Sequence, residues 1–144
     1  MIYVADAMSK RVRTIGSAAS IRDAAKAMTR WKVGSLVLMR AGKPAGIITE
    51  SDVTHAVGKG LDLSKTPSDF LHRKLLTIGP GEKIENASRL MASAGVKKLA
   101  VVETGRLVGI LTQTDIVEAS FGLVTSLKEM VSARYRPPDF ETQM

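Results

Sequence analysis

GIITESD at residues 46–52 returns, 63 positions later, as GILTQTD at residues 109–115. The same offset aligns residues 6–57 with 69–120 without a gap. Fifteen of the 52 pairs are identical, among them Asp6/Asp69, Thr14/Thr77, Met28/Met91, Leu36/Leu99, Gly46/Gly109 and Asp52/Asp115. Many other pairs exchange one apolar residue for another, so the two copies are expected to share a fold and to present equivalent surfaces.

Each copy reads as a short strand, a helix, two strands and a second helix, a β-α-β-β-α unit of class α+β (α/β). Thr14-Ile15 is a brief extended piece. Ser20 with Asp23 has the spacing of a capping box, and Ile21, Ala24, Ala25, Met28 and Trp31 follow helical periodicity behind it. The second copy repeats the stripe at Ile84, Ala87, Leu90, Met91 and Ala94, with Gly95 placed to end the helix. The runs LVLM (36–39) and LAVV (99–102) each lead through a glycine-containing turn into a second apolar run, a hairpin pattern. Runs this uniformly apolar predict strands covered on both faces. Second helices are expected from about Ser51 and Thr114. A further amphipathic helix is expected after Gly122, with Val124, Leu127, Met130 and Val131 on one face and a stop at Pro137-Pro138, followed by a frayed DFETQM tail.

The organisation expected is repeat one at 1–60, a connector at 61–67, repeat two at 68–122 and a C-terminal helix and tail at 123–144. A unit of about 60 residues buries too little surface to be stable alone, so each copy is expected to cover the other's apolar face.

No apolar run reaches the roughly 18 residues needed to span a bilayer, and the N-terminus lacks the hydrophobic core of a secretion signal. A soluble, cytoplasmic protein without membrane partners is expected. With no cysteine and two histidines, neither a disulfide framework nor a thiolate metal site is available. Twenty-one basic residues against fourteen acidic ones favour anionic partners, and the pairs Lys10-Arg11, Arg73-Lys74 and Lys97-Lys98 stand out, although most such charges simply solvate helix faces. His55 is expected on an exposed helix face, His72 as a solvated neighbour of Arg73, and Trp31 in the core or an interface.

The repeated Thr-x-x-Asp has two readings. Thr49 and Thr112 as N-caps, with Asp52 and Asp115 three residues on, form capping boxes that serve helix stability alone. The same geometry also suits a nucleotide: a helix N-terminus attracts phosphate, and a carboxylate in the first turn can accept hydrogen bonds from two vicinal ribose hydroxyls.

The repeat unit resembles the cystathionine-β-synthase (CBS) domain, through DAMSKRVRTI, KVGSLVLM, GVKKLAVV, GIITESDV and GILTQTDI, and the chain resembles a free-standing tandem pair of them over about residues 4–120. The resemblance implies two repeats related by pseudo-two-fold symmetry, with sheets packed together and helices outside. It implies a regulatory module without catalytic or metal-binding residues and with no required cofactor, binding AMP, ADP, ATP or S-adenosylmethionine in clefts between the repeats. Its partners would be a second copy, forming a homodimer, and an unidentified effector protein. One implied cleft uses Asp115, Thr112, Thr114, Ile110, Lys97 and Lys98, with Thr14, Ala19, Val33 and Gly34 toward the base. The other uses Asp52, Thr49, Ser51 and Ile47, with Thr77, Glu82, Val96 and Lys97 toward the base and the uncharged Gly34 and Ser35 toward phosphate. Unequal sites follow, the Asp115 cleft being expected to favour phosphorylated ligands. The alternative is a basic nucleic-acid-binding or protein-interaction module, against which stand the few, unclustered aromatics and the lack of a DNA-reading motif. No Ser-His-Asp set, metal pattern or phosphate-binding glycine loop points to an enzyme.

Overall fold

The computed structural model describes residues 1–134 apart from Phe70 and His72, with the side chains of Leu123, Val124 and residues 131–134 left aside. The expectations for His72, for the apolar side chains at 124 and 131, for Pro137-Pro138 and for the tail lie outside the described residues. In chain order the elements are α1 (Val4–Ala7), β1 (Thr14–Gly16), α2 (Ile21–Trp31), β2 (Ser35–Arg40), β3 (Lys43–Thr49), α3 (Glu50–Gly58), a 3-10 turn (Pro67–Asp69), β4 (Thr77–Ile78), α4 (Ile84–Ala94), β5 (Lys98–Glu103), β6 (Arg106–Thr112) and α5 (Gln113–Arg134).

Each copy forms its own three-stranded sheet, β1-β2-β3 and β4-β5-β6, with the first pair parallel and the second antiparallel. The registers coincide after a shift of 63: Leu36 opposite Ile48 recurs as Leu99 opposite Leu111, and each ladder slips beside the same glycine, Gly46 or Gly109. Both hairpins close through two residues with positive φ, Ala41-Gly42 and Thr104-Gly105. That is the turn whose twist matches paired strands, and glycine is the residue that tolerates its second position.

Leu36, Val37 and Leu38, and Leu99, Ala100 and Val101, are all at most 5% exposed, so both faces of β2 and β5 are covered as the apolar runs predict. Leu36 and Leu38 pack with Ala24, Met28 and Ile48, while Leu99 and Val101 pack with Ala87, Met91 and Leu111. Alternation turns Val37 and Ala100 to the opposite faces, and the two sheets meet along β3 and β6.

The copies interleave rather than sit side by side. Residues 2–9 pack on the second copy: Val4 lies in the core with Leu99 and Leu111, its N–H donates to the Glu82 carbonyl at 2.8 Å, and Ser9 and Ile110 exchange backbone hydrogen bonds at 2.9 and 3.0 Å. In return the connector packs on the first copy. Ile21 N–H donates to the Lys65 carbonyl at 2.9 Å, Arg22 N–H to the Leu63 carbonyl at 3.0 Å, and Leu71 joins the core around Leu36. Residues 60 and 61 thus separate sequence repeats, not spatial units. The identity of Asp6 and Asp69 acquires a local reason, because each caps its leading turn by accepting from the backbone N–H of Tyr3 (2.9 Å) or Thr66 (3.0 Å).

Two details depart from the repeat. The Ser20/Asp23 capping box forms at α2, but the N-cap position of α4 is Lys83, which makes no side-chain cap. The separate helix expected after Gly122 is instead the continuation of α5 through that glycine. One interior glycine costs only about 1 kcal/mol, and the helix-forming Leu127, Lys128, Glu129 and Met130 carry the segment on. Among the described residues no helix is long and apolar enough to cross a membrane.

The interleaving is testable at the paired glycines. A Cβ on Gly109 would lie 2.9 Å from the Ser9 carbonyl oxygen and 2.6 Å from Met8 Sδ, whereas one on Gly46 would meet only the Leu38 side chain, at 3.4 Å. Gly109→Ala should destabilise the fold by about 1–3 kcal/mol and Gly46→Ala by less than about 1 kcal/mol. Urea unfolding of both variants measures this, and equal losses would contradict the packing described.

Candidate functional site

In both copies the second hairpin strand runs directly into a helix, and the junction carries the repeated Thr-x-x-Asp. Both capping boxes form. Thr49 N–H donates to Asp52 Oδ2 at 2.7 Å and Asp52 N–H to Thr49 Oγ1 at 3.3 Å. In the second copy Thr112 N–H donates to Asp115 Oδ2 at 2.9 Å and Asp115 N–H to Thr112 Oγ1 at 3.0 Å. Capping occupies Oδ2 of each carboxylate and leaves Oδ1 for another partner, so the cap and a ligand role are compatible.

That second partner differs between the copies. Asp52 is held by Arg73, which reaches it from the segment leaving the connector: Nη1 donates to Oδ1 at 2.8 Å, Nη2 to Oδ2 at 2.6 Å, and Nη2 also to the Ile47 carbonyl at 2.8 Å. The repeat-equivalent of Arg73 is Lys10, and among the described residues Asp115 Oδ1 has no hydrogen-bond donor. The Ile110 carbonyl, equivalent to that of Ile47, is taken by the Ser9 backbone.

Burial alone pushes the Asp52 carboxyl up, but hydrogen bonds from Arg73 and Thr49 and the guanidinium charge outweigh it and hold the group below its usual value. The Asp52 hydrogen bond correspondingly raises Arg73. Burial lowers Lys98, and the carboxylates of Glu50, Asp115 and Asp52 pull it partly back, which locates this ammonium between the two acidic corners.

A cavity of about 470 Å³ opens on the Asp52 side. Of the residues expected in binding, Gly34, Ile47, Thr49, Ser51, Asp52, Val96, Lys97 and Lys98 line it. Thr14, Ala19, Val33, Ser35, Thr77, Ile110, Thr112, Thr114 and Asp115 do not, nor does Glu82. The cationic lining is also on this side. Lys97 and Lys98 are joined by Arg40, Arg73 and Lys74, against the acidic Glu50 and Asp52. The lysines of the second copy reach across to the first: Lys98 Nζ lies 3.6 Å, and the Glu50 carboxyl 3.7 Å, from where a Cβ on Gly34 would stand.

Arg40 and Glu50 belong to no motif that marks them for binding, and Arg73 stands out in the sequence only as half of a basic pair. A signal existed for Arg73, since the 63-residue offset pairs it with another cation, Lys10, on the segment leading into each copy. Trp31 is 37% exposed and stacks under the Arg13 guanidinium, 4.9 Å from its ring centre, away from the cavity lining. Among the described residues no cluster of three His, Cys, Asp or Glu side chains could hold a metal ion.

The Asp52–Arg73 pair carries a pH signature. A carboxyl whose folded pKa is depressed adds stability that is present above its unfolded pKa of about 3.9 and lost as pH falls through the lower folded value. The stability gap between wild type and Asp52→Asn should therefore be largest near neutrality and shrink as pH falls below about 4, as read by urea unfolding across pH; a gap that stays constant into acid would contradict the pairing.

Comparison with known proteins gives this geometry a family. The sequence profile of the CBS domain matches residues 4–59 and again 68–122. Among curated proteins, the chain is 31% identical over 116 residues to Uncharacterized protein MJ1225 of Methanocaldococcus jannaschii, across 80% of this chain and 41% of that one. It is 29% identical over 117 residues to the CBS domain-containing protein YhcV of Bacillus subtilis, across 81% of this chain and 84% of that one. The chain thus spans less than half of the first relative and most of the second. Among solved structures, the CBS domain pair of protein MJ0100, in complex with 5′-methylthioadenosine and S-adenosyl-L-methionine, aligns with a TM-score of 0.76 at 29% identity, covering 85% of this chain and 98% of that one. The two profile matches fall one on each sheet and together take in both Thr-x-x-Asp corners, and on that ground the chain belongs to the CBS domain family, as a tandem pair.

Proposed function

We propose that this CBS pair is a regulatory module that binds an adenosine nucleotide, AMP, ADP or ATP, in the Asp52-side cavity, and not at the Asp115 corner that the resemblance favours for phosphorylated ligands, because the cations gather around Asp52. The observation that carries the reading is the placement of Asp52 in the first turn of α3, on the wall of a cavity with five cationic side chains. A carboxylate beside a helix N-terminus suits a ribose, and Lys97, Lys98, Arg73 and Lys74 suit the phosphate that follows it. The MJ0100 pair, solved with 5′-methylthioadenosine and S-adenosyl-L-methionine, supports an adenosine-bearing ligand, while the phosphate part of the reading rests on the cations of the cavity. The cavity volume suits one small molecule, which favours a mononucleotide over a nucleic acid strand. Binding acts by population shift: the lining draws on both copies, so a ligand that touches both favours one arrangement of the two sheets.

The output surface is α5. Val117, Phe121, Leu127 and Met130 are 51–70% exposed, a degree of apolar exposure that marks an association surface when it is contiguous. We propose that a second copy covers it, as a homodimer, with the effector protein reading the dimer's geometry.

Two measurements test these readings. In calorimetric titrations with AMP, Asp52→Ala should weaken binding roughly 10- to 100-fold, the worth of a hydrogen bond to a charged group, while Asp115→Ala, which loses an equivalent helix cap, should change it by less than about threefold. Equal losses would show that the effect comes from the cap. By light scattering the wild type should be a dimer and Phe121→Glu a monomer, because a buried unpaired carboxylate is strongly unfavourable; a monomeric wild type would remove the dimer proposal.

A further inference from the structure

We infer that Arg73 is the residue that makes this site select phosphorylated ligands over neutral or cationic nucleosides, by guarding Asp52. The inference rests on the nucleotide reading above and adds a discrimination within it. Asp52 Oδ2 accepts from the Thr49 backbone and hydroxyl and from Arg73 Nη2, and Oδ1 accepts from Arg73 Nη1, which leaves room for at most one of the two hydroxyls of a ribose. A ligand diol can reach Asp52 only if the guanidinium moves away. Two neutral hydroxyls can satisfy the carboxylate, but they leave Arg73 without its anion in a cavity wall where its side chain is less than half exposed. A phosphate on the same ligand supplies that anion, in the bidentate form to which a guanidinium is matched.

Exchange is therefore close to balanced for a nucleotide and unfavourable for a nucleoside. S-adenosylmethionine brings a carboxylate, but its sulfonium and ammonium place two positive charges among Lys74, Lys97 and Lys98, so its net charge disfavours it in this lining. The guard belongs to one corner only. The equivalent Lys10 makes no hydrogen bond to Asp115 among the described residues, and lysine would supply a point charge in place of a planar fork. The remaining Nη2 bond, to the Ile47 carbonyl, holds the guanidinium at the strand end from which it guards the carboxylate.

The test is calorimetric titration of the 144-residue wild type, Arg73→Gln and Arg73→Lys with AMP, adenosine and S-adenosylmethionine, each variant first shown to unfold cooperatively on heating. In wild type AMP should bind at least about 30-fold more tightly than adenosine, the share of a charged bidentate contact. In Arg73→Gln adenosine should bind about three- to tenfold more tightly than in wild type, while AMP weakens by a similar factor. Arg73→Lys should fall between the two. A residue that merely braces the fold would weaken every ligand together, so the opposite signs for adenosine and AMP are the decisive readout. If AMP binds wild type and Arg73→Gln leaves adenosine unchanged or weaker, the guarding role is overturned and the nucleotide site stands. If none of the three ligands binds any of the proteins, the nucleotide reading falls and this inference with it.

Discussion

A repeat of about 60 residues cannot cover both faces of a three-stranded sheet with two short helices, and the fold is organised around that shortage. Each copy borrows the leading segment of the other: Val4 completes the core around Leu99 and Leu111, and Leu71 completes the one around Leu36 and Ile48. The crossing also builds the site. Because the connector must travel over the first copy to deliver Leu71, the residues that follow it pass the end of β3, and Arg73 arrives beside Asp52 and the Ile47 carbonyl. A packing requirement thereby brings a cation to a carboxylate 21 positions away.

The repeated aspartates show how one side chain can serve stability and recognition together. A carboxylate has several acceptor positions, and a capping box needs only some of them. Asp52 and Asp115 both spend Oδ2 on the backbone of their N-cap threonine, and what happens at Oδ1 depends on the neighbourhood each strand end acquires. The structural and the ligand-binding explanations of the motif therefore do not compete.

Duplication followed by divergence at a few paired positions accounts for the inequality of the two corners. Ser35 in the first copy is Lys98 in the second, and Lys98 projects among the carboxylates of both. Lys10 and Arg73 occupy the same place in the repeat, but only the arginine fork grips its aspartate in this structure. Elsewhere the divergence touches stability alone: Ser20 caps α2 where Lys83 cannot cap α4, and Lys32 adopts a left-handed backbone that Gly95 adopts without strain.

The sequence by itself determined the local structure and the architecture of the repeat. Helical stripes, hairpin turns, strands apolar on both faces and the Thr-x-x-Asp caps all arise from interactions among residues close in the chain, and a gapless 63-residue offset doubles every one of those signals. About half of the residues expected in binding line the cavity: the Thr-x-x-Asp spacing marks Asp52 at a helix start, and the resemblance to the CBS domain implies Gly34, Lys97 and Lys98. The continuity of α5 through Gly122 was less legible, since a lone glycine weakens a helix without breaking it. Only the tertiary structure decided which residues gather around the Asp52-side cavity, that the leading segments cross between copies, and that Arg73 lies on Asp52. Those outcomes depend on which surfaces must be covered and on the path a connector takes to cover them, and such long-range contacts leave no period in the chain.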